Sequence, residues 1–135
     1  MKKKVCEIIE FDIIGQQVLY VQGYKTRKSL MKKFQKGDKI YDDIYAFMGE
    51  DYEDYYRTCN GWVSTVENKD NGTFLPIIVM TNPVDIANPK DLSILAHEVV
   101  HVVQRLREKY CHKQEVEFEA YMFEFIFYKI LNFLQ

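Results

Sequence analysis

The residues most able to do chemistry together are His97, Glu98 and His101, in the run His97-Glu98-Val99-Val100-His101. On an α-helix, residues four apart are separated by about 40° around the axis and about 6 Å along it. Both imidazoles therefore reach one point from the same face. Neutral imidazole is a preferred ligand of zinc, and two on successive turns supply half of a tetrahedral site. Glu98 lies about 100° round from His97. There a carboxylate can orient a water activated by the metal, take its proton and pass it to a leaving amine. The chain has three histidines and two are in this motif. The neighbours Leu92, Ile94, Leu95, Val102 and Val103 make the helix apolar on nearly every side, so it must be buried. Two imidazoles and a carboxylate are costly there unless something satisfies them. A metal explains the triplet better than a polar network of core histidines.

A catalytic zinc usually takes three protein ligands and keeps one position open. The longer pattern HExxHxxGxxH is absent, because Arg107 stands where its third histidine would fall. The next donors lie in the last predicted helix, where Glu117, Ala120, Tyr121 and Glu124 share one face at helical spacing. Glu117 would complete a His, His, Glu set, and Glu119 and Glu124 are open alternatives. A strict antiparallel helical hairpin turning at Cys111 and His112 brings residues near Glu124 opposite His101. Glu115 reads as a solvated glutamate. Tyr121 and His112 are positioned in sequence to help an oxyanion.

The elements that must hold these groups follow from pattern. Residues 5–14 alternate in part and predict a strand, turned by Gly15-Gln16 into a second over 18–24. A basic helix is expected over 26–36, stopped by Gly37, and a tyrosine-rich acidic helix over 40–56, with Ile44, Phe47 and Met48 at helical spacing. That helix reads as a packing element rather than a lid. Residues 61–66 and 73–80 are β-type runs around the turn Lys69-Asp70-Asn71-Gly72, a hairpin signal. Pro76 has no N–H for a ladder, which makes the second run an edge strand or gives it a bulge. Trp62 reads as a core or sheet-face aromatic. A loop over 81–89 leads to a helix capped by Asp91 or Ser93 and running to about residue 109. A last helix covers about 114–134. Strands and short helices, a hairpin, then two long helices define an α+β class in a single domain over 1–135.

Composition narrows the function. The chain has 135 residues, ten Tyr and nine Phe, and a net charge of −2. That is one ordinary domain with a real core and no electrostatic case for nucleic acid. Met1-Lys2-Lys3-Lys4 resembles the start of a signal peptide, but Glu7, Glu10 and Asp12 interrupt any apolar stretch. No run approaches the ~18 apolar residues of a membrane helix. Cys6, Cys59 and Cys111 are odd in number and widely spaced, so reduced thiols and a cytoplasmic setting are expected.

The motif and the downstream glutamates resemble the zincin-type metallopeptidases, in their gluzincin branch of HExxH plus a later Glu. More narrowly, the chain resembles small phage- and prophage-encoded metallopeptidases. The residues that carry the likeness are the Gly61-Trp62 strand, Ile94-Leu95-Ala96 leading into the motif, and Glu117-Phe118-Glu119-Ala120-Tyr121. It covers about residues 61–128. Relatives often have Asp or Asn before the ligand glutamate, where this chain has Val116.

The resemblance implies Zn2+ held by His97, His101 and Glu117, with Glu98 as general base. It implies an active-site helix under a small mixed or antiparallel sheet, followed by a long C-terminal helix. An edge strand should line the cleft, and residues 75–81, from Leu75 through Thr81, are expected to fill that role and pair with a peptide substrate. Hydrolysis of a peptide bond is the leading expectation. A metal-binding or protein-interaction module with little turnover is the alternative, and metal-assisted hydrolysis of another bond is a third.

Overall fold

A computed structural model of the chain describes residues 4–12, 14–34, 39–48, 51–110 and 116–135. Met1, the stop at Gly37, the break at Cys111 and His112, and Glu115 lie outside the described residues, as do the side chains of Phe47 and Met48. The elements are β1 (Val5–Phe11), β2 (Gln16–Gln22), α1 (Arg27–Met31), α2 (Lys39–Met48), α3 (Tyr52–Thr58), β3 (Gly61–Asn68), β4 (Thr73–Met80), α4 (Pro89–Tyr110) and α5 (Val116–Phe133). The fold is α+β, as the order of patterns predicts.

Four strands form one sheet in the order β1-β2-β4-β3. β1 and β2 are an antiparallel hairpin, Val5 opposite Gln22 and Phe11 opposite Gln16. Gly15 turns it at φ 65°, in the left-handed region open to glycine. β3 and β4 form the expected second hairpin, and Gly72 at φ 75° closes its turn. The two hairpins join through a parallel pairing of β2 with β4, from Leu19 opposite Ile77 to Gln22 opposite Met80.

This pairing corrects the expectation for residues 75–81. β4 is an inner strand, and the edge beside it is β3. The reason lies at Pro76. The parallel ladder starts only at Ile77, so the missing N–H of Pro76 falls just before it. β4 is moreover buried from Leu75 to Met80, as a strand covered on both faces must be.

Helices cover both sides of the sheet. On one side Val18, Tyr20, Ile78 and Met80 meet Leu95, Val99, Val102 and Leu106 of α4 and Met122, Ile126 and Ile130 of α5. On the other side Leu19, Val21, Ile77 and Val79 meet Leu30, Met31, Ile44 and Tyr52. The alternation of neighbouring residues between these cores is the period-two rule of a strand. Burial pushes the phenols of Tyr20 and Tyr52 well above the usual range, and at Tyr52 the neighbouring Tyr56 and Glu53 add to it. Tyr52 donates to the Tyr24 carbonyl at 2.7 Å, and its ring meets Trp62 edge-on at 5.4 Å. The tyrosine-rich stretch is thus a packing layer, and Trp62 a sheet-face aromatic on the α1–α3 side. The single helix expected over 40–56 is instead two, α2 and α3.

α4 begins earlier than Asp91 or Ser93 would cap it. Asn88 Oδ1 accepts the Lys90 N–H at 2.9 Å, and Pro89 is the first helical residue, where its missing N–H costs nothing. Asp91 accepts instead from the Asp85 N–H.

Asp43 of α2 ties this layer to the β3–β4 turn. Its carboxylate is nearly buried and accepts from Asn68 Nδ2, Asn71 Nδ2 and Thr73 Oγ1, each at 3.1 Å. Asp43→Ala is expected to cost about 2–4 kcal/mol, since bonds to a charged acceptor are the stronger kind. Urea unfolding with an unchanged m-value measures it.

Candidate metal centre

α4 presents its apolar stripe, Leu95, Val99, Val102 and Leu106, to the sheet. That packing fixes the rotation of the helix and so decides where the motif points. His97 and His101 fall on the opposite, exposed side. Glu98 falls on the flank beside β3, 6% exposed. Gly61, the first residue of β3, makes room for it. A Cβ at Gly61 would meet Met80 Sδ at 2.8 Å, the Val79 carbonyl oxygen at 3.1 Å and Glu98 Cγ at 3.3 Å. Gly61→Ala is therefore expected to destabilise by about 1–3 kcal/mol, the usual cost of overpacking, with a lower midpoint in thermal unfolding.

The imidazole Nε2 atoms of His97 and His101 stand 3.1 Å apart, their rings nearly perpendicular. Two nitrogens bound to one tetrahedral zinc at ordinary bond lengths are about 3.3 Å apart. Gln104 Oε1 lies 3.2 Å from His101 Nδ1. An Nδ1–H donated to that oxygen leaves the Nε2 lone pair free for a metal. Gln104 can thus orient the His101 ring, and it is absent from the sequence reading. Its signal was there, three residues after His101 and on the same face.

Glu98 completes the cluster. One ligand atom from each of His97, Glu98 and His101 lies within 4.8 Å of the others, and no other group of three such residues gathers among the described residues. Glu98 Oε1 is 4.0 Å from His97 Nε2, while Oε2 is buried with no hydrogen-bond partner among the described residues. Burial raises the carboxyl above the usual carboxylate range, and His97 and His101 pull it partly back. A buried carboxylate oxygen beside two converging imidazoles is a donor set that could hold a cation. The residues present fit zinc.

The other predicted site residues lie apart. Glu117 and Glu124 are exposed on α5, outside the cluster. Glu119 is committed to Arg107, whose Nη1 donates to it at 3.0 Å. Tyr121 is exposed and stacks on Phe125.

The fold and site together define an α+β chain with a paired-imidazole, buried-carboxylate centre on its longest helix. A family described as "Domain of unknown function (DUF6647)" matches residues 65–126, which include the whole motif. No curated protein matches the chain, and no solved structure does.

Proposed function

We propose that this chain is a zinc-dependent peptidase of the zincin type, in the gluzincin branch. The observation that carries the reading is the pairing of two imidazole nitrogens 3.1 Å apart with a buried, partnerless Glu98 oxygen beside them. His97 and His101 would hold the zinc. A bound zinc lowers the pKa of water and polarises a carbonyl. Glu98 takes the proton of the attacking water and returns it to the leaving amine, and its burial raises its basicity toward that task. The exposed side of the histidine pair leaves an approach for substrate.

The third ligand comes from α5. Family resemblance favours Glu117. The Arg107–Glu119 contact favours Glu124, because in a helical hairpin of that register Glu124 stands about 7 Å nearer to His101 than Glu119 does. No strand among the described residues pairs with the outer side of β3, so a peptide can add there.

No helix among the described residues is long and apolar enough to cross a membrane. Cys6 and Cys59 are free thiols, which agrees with a reducing compartment such as the cytoplasm. A second reading, a metal-binding module with little turnover, draws on Glu117 and Glu124 standing outside the cluster. Zinc content, with cleavage of a peptide library by wild type against Glu98→Gln, separates the two. Zinc without any Glu98-dependent cleavage favours the second.

A further inference from the structure

A groove of about 710 Å³ lies between β3 and α4, within the size range of ligand clefts. One wall is Val63, Thr65 and Glu67, alternate residues of β3. The other is Arg105, Glu108 and Lys109 of α4. β3 starts at Gly61 against Glu98 and runs away from the metal centre. Along α4, Arg105 and Lys109 stand about 6 and 12 Å beyond His101. The groove therefore leads outward from the reacting position.

Its cations have capacity to spare. Among the described residues Arg105 Nη1 pairs with Glu108 alone, at 3.4 Å, and both side chains are more than half exposed. A guanidinium carries five donors in a fork that matches a carboxylate. Lys109 Nζ is held 4.3 Å from the Phe74 ring centroid, with no ion pair among the described residues. Lys69 adds a third positive charge against Glu67 and Glu108.

We propose that this groove holds the part of the substrate that precedes the scissile bond and selects an acidic side chain there through Arg105, with Lys109 beyond it. The proposal rests on the peptidase reading. Antiparallel pairing is the stronger kind, and a peptide antiparallel to β3 runs toward the metal centre. Residues in the groove then lie N-terminal to the bond to be cut. At about 3.4 Å per residue, Arg105 and Lys109 fall two to four residues before it.

The test uses zinc-loaded Glu98→Gln protein and fluorescent 12-residue peptides with three Glu or three Lys before an apolar centre. The acidic series should bind roughly 5–10-fold tighter at low salt, less so at high salt. Arg105→Gln should cut that ratio below about twofold, and Arg105→Glu should reverse it. Both substitutions fall on an exposed side chain, so zinc content should not change. Equal binding of the two series, no binding of either, or a ratio untouched by Arg105→Gln overturns the proposal. Tighter binding when the Glu block follows the apolar centre overturns the assigned direction. Wild-type cleavage with no charge preference overturns the groove's role and leaves the peptidase reading. An Arg105-dependent preference in binding, with no peptide ever cleaved, does the reverse.

Discussion

His101→Ala should strip the protein of zinc, weakening its retention by more than about 100-fold. Loss of an outer-shell partner alone costs 10–100-fold at metal sites, and this change removes one of the two nitrogens that converge at 3.1 Å. Because His101 is exposed and its ring packs only edge-on against His97, the variant should fold, and its unfolding without metal should match that of wild type. Elemental analysis after dialysis against a weak chelator reads the first effect, and thermal unfolding the second. Wild type should gain stability on adding zinc as the logarithm of its concentration, and His101→Ala should not. Retention of zinc by the variant would sink the metal centre as drawn. The same assay on Glu117→Ala and Glu124→Ala tests whether either α5 carboxylate serves as a third ligand.

Glu98→Gln should move two observables in opposite directions. Turnover of any cleaved peptide should fall by about 10²–10⁴, the usual contribution of a positioned general base, while zinc content is unchanged. Stability of the metal-free protein should rise by about 1–2 kcal/mol. In wild type a carboxylate is held with Oε2 buried and unpartnered, and a neutral amide of the same shape costs less to bury. A more stable, metal-competent and inactive protein is the expected signature of a residue kept for chemistry rather than for folding. If stability falls and turnover persists, Glu98 is a structural residue.

Much of the site was legible because it is local. Spacing within one helix sets the angle between His97, Glu98 and His101, whatever surrounds them. The hairpin 61–80 was equally legible, since Asp70, Asn71 and Gly72 specify its turn. Pro76 misled about the edge because a missing N–H restricts only one side of a strand, and which side meets a neighbour depends on β2, more than fifty residues away. The start of α4 was misplaced by three residues or more, because Asp91 and Asn88 are both good caps and only the loop before them chooses between them. Gln104, three residues after His101, was legible by helical spacing but did not enter the sequence reading.

For this protein the sequence by itself determined that two imidazoles and a carboxylate share one turn and a half of an apolar helix, which is a matter of helical period alone. Only the tertiary structure decided that both histidines face outward while Glu98 is pressed against Gly61. It also decided that β3 is the edge running beside them. Those outcomes depend on how α4 rotates to bury Leu95, Val99, Val102 and Leu106 against the sheet, and that rotation is settled by long-range packing that no local pattern encodes.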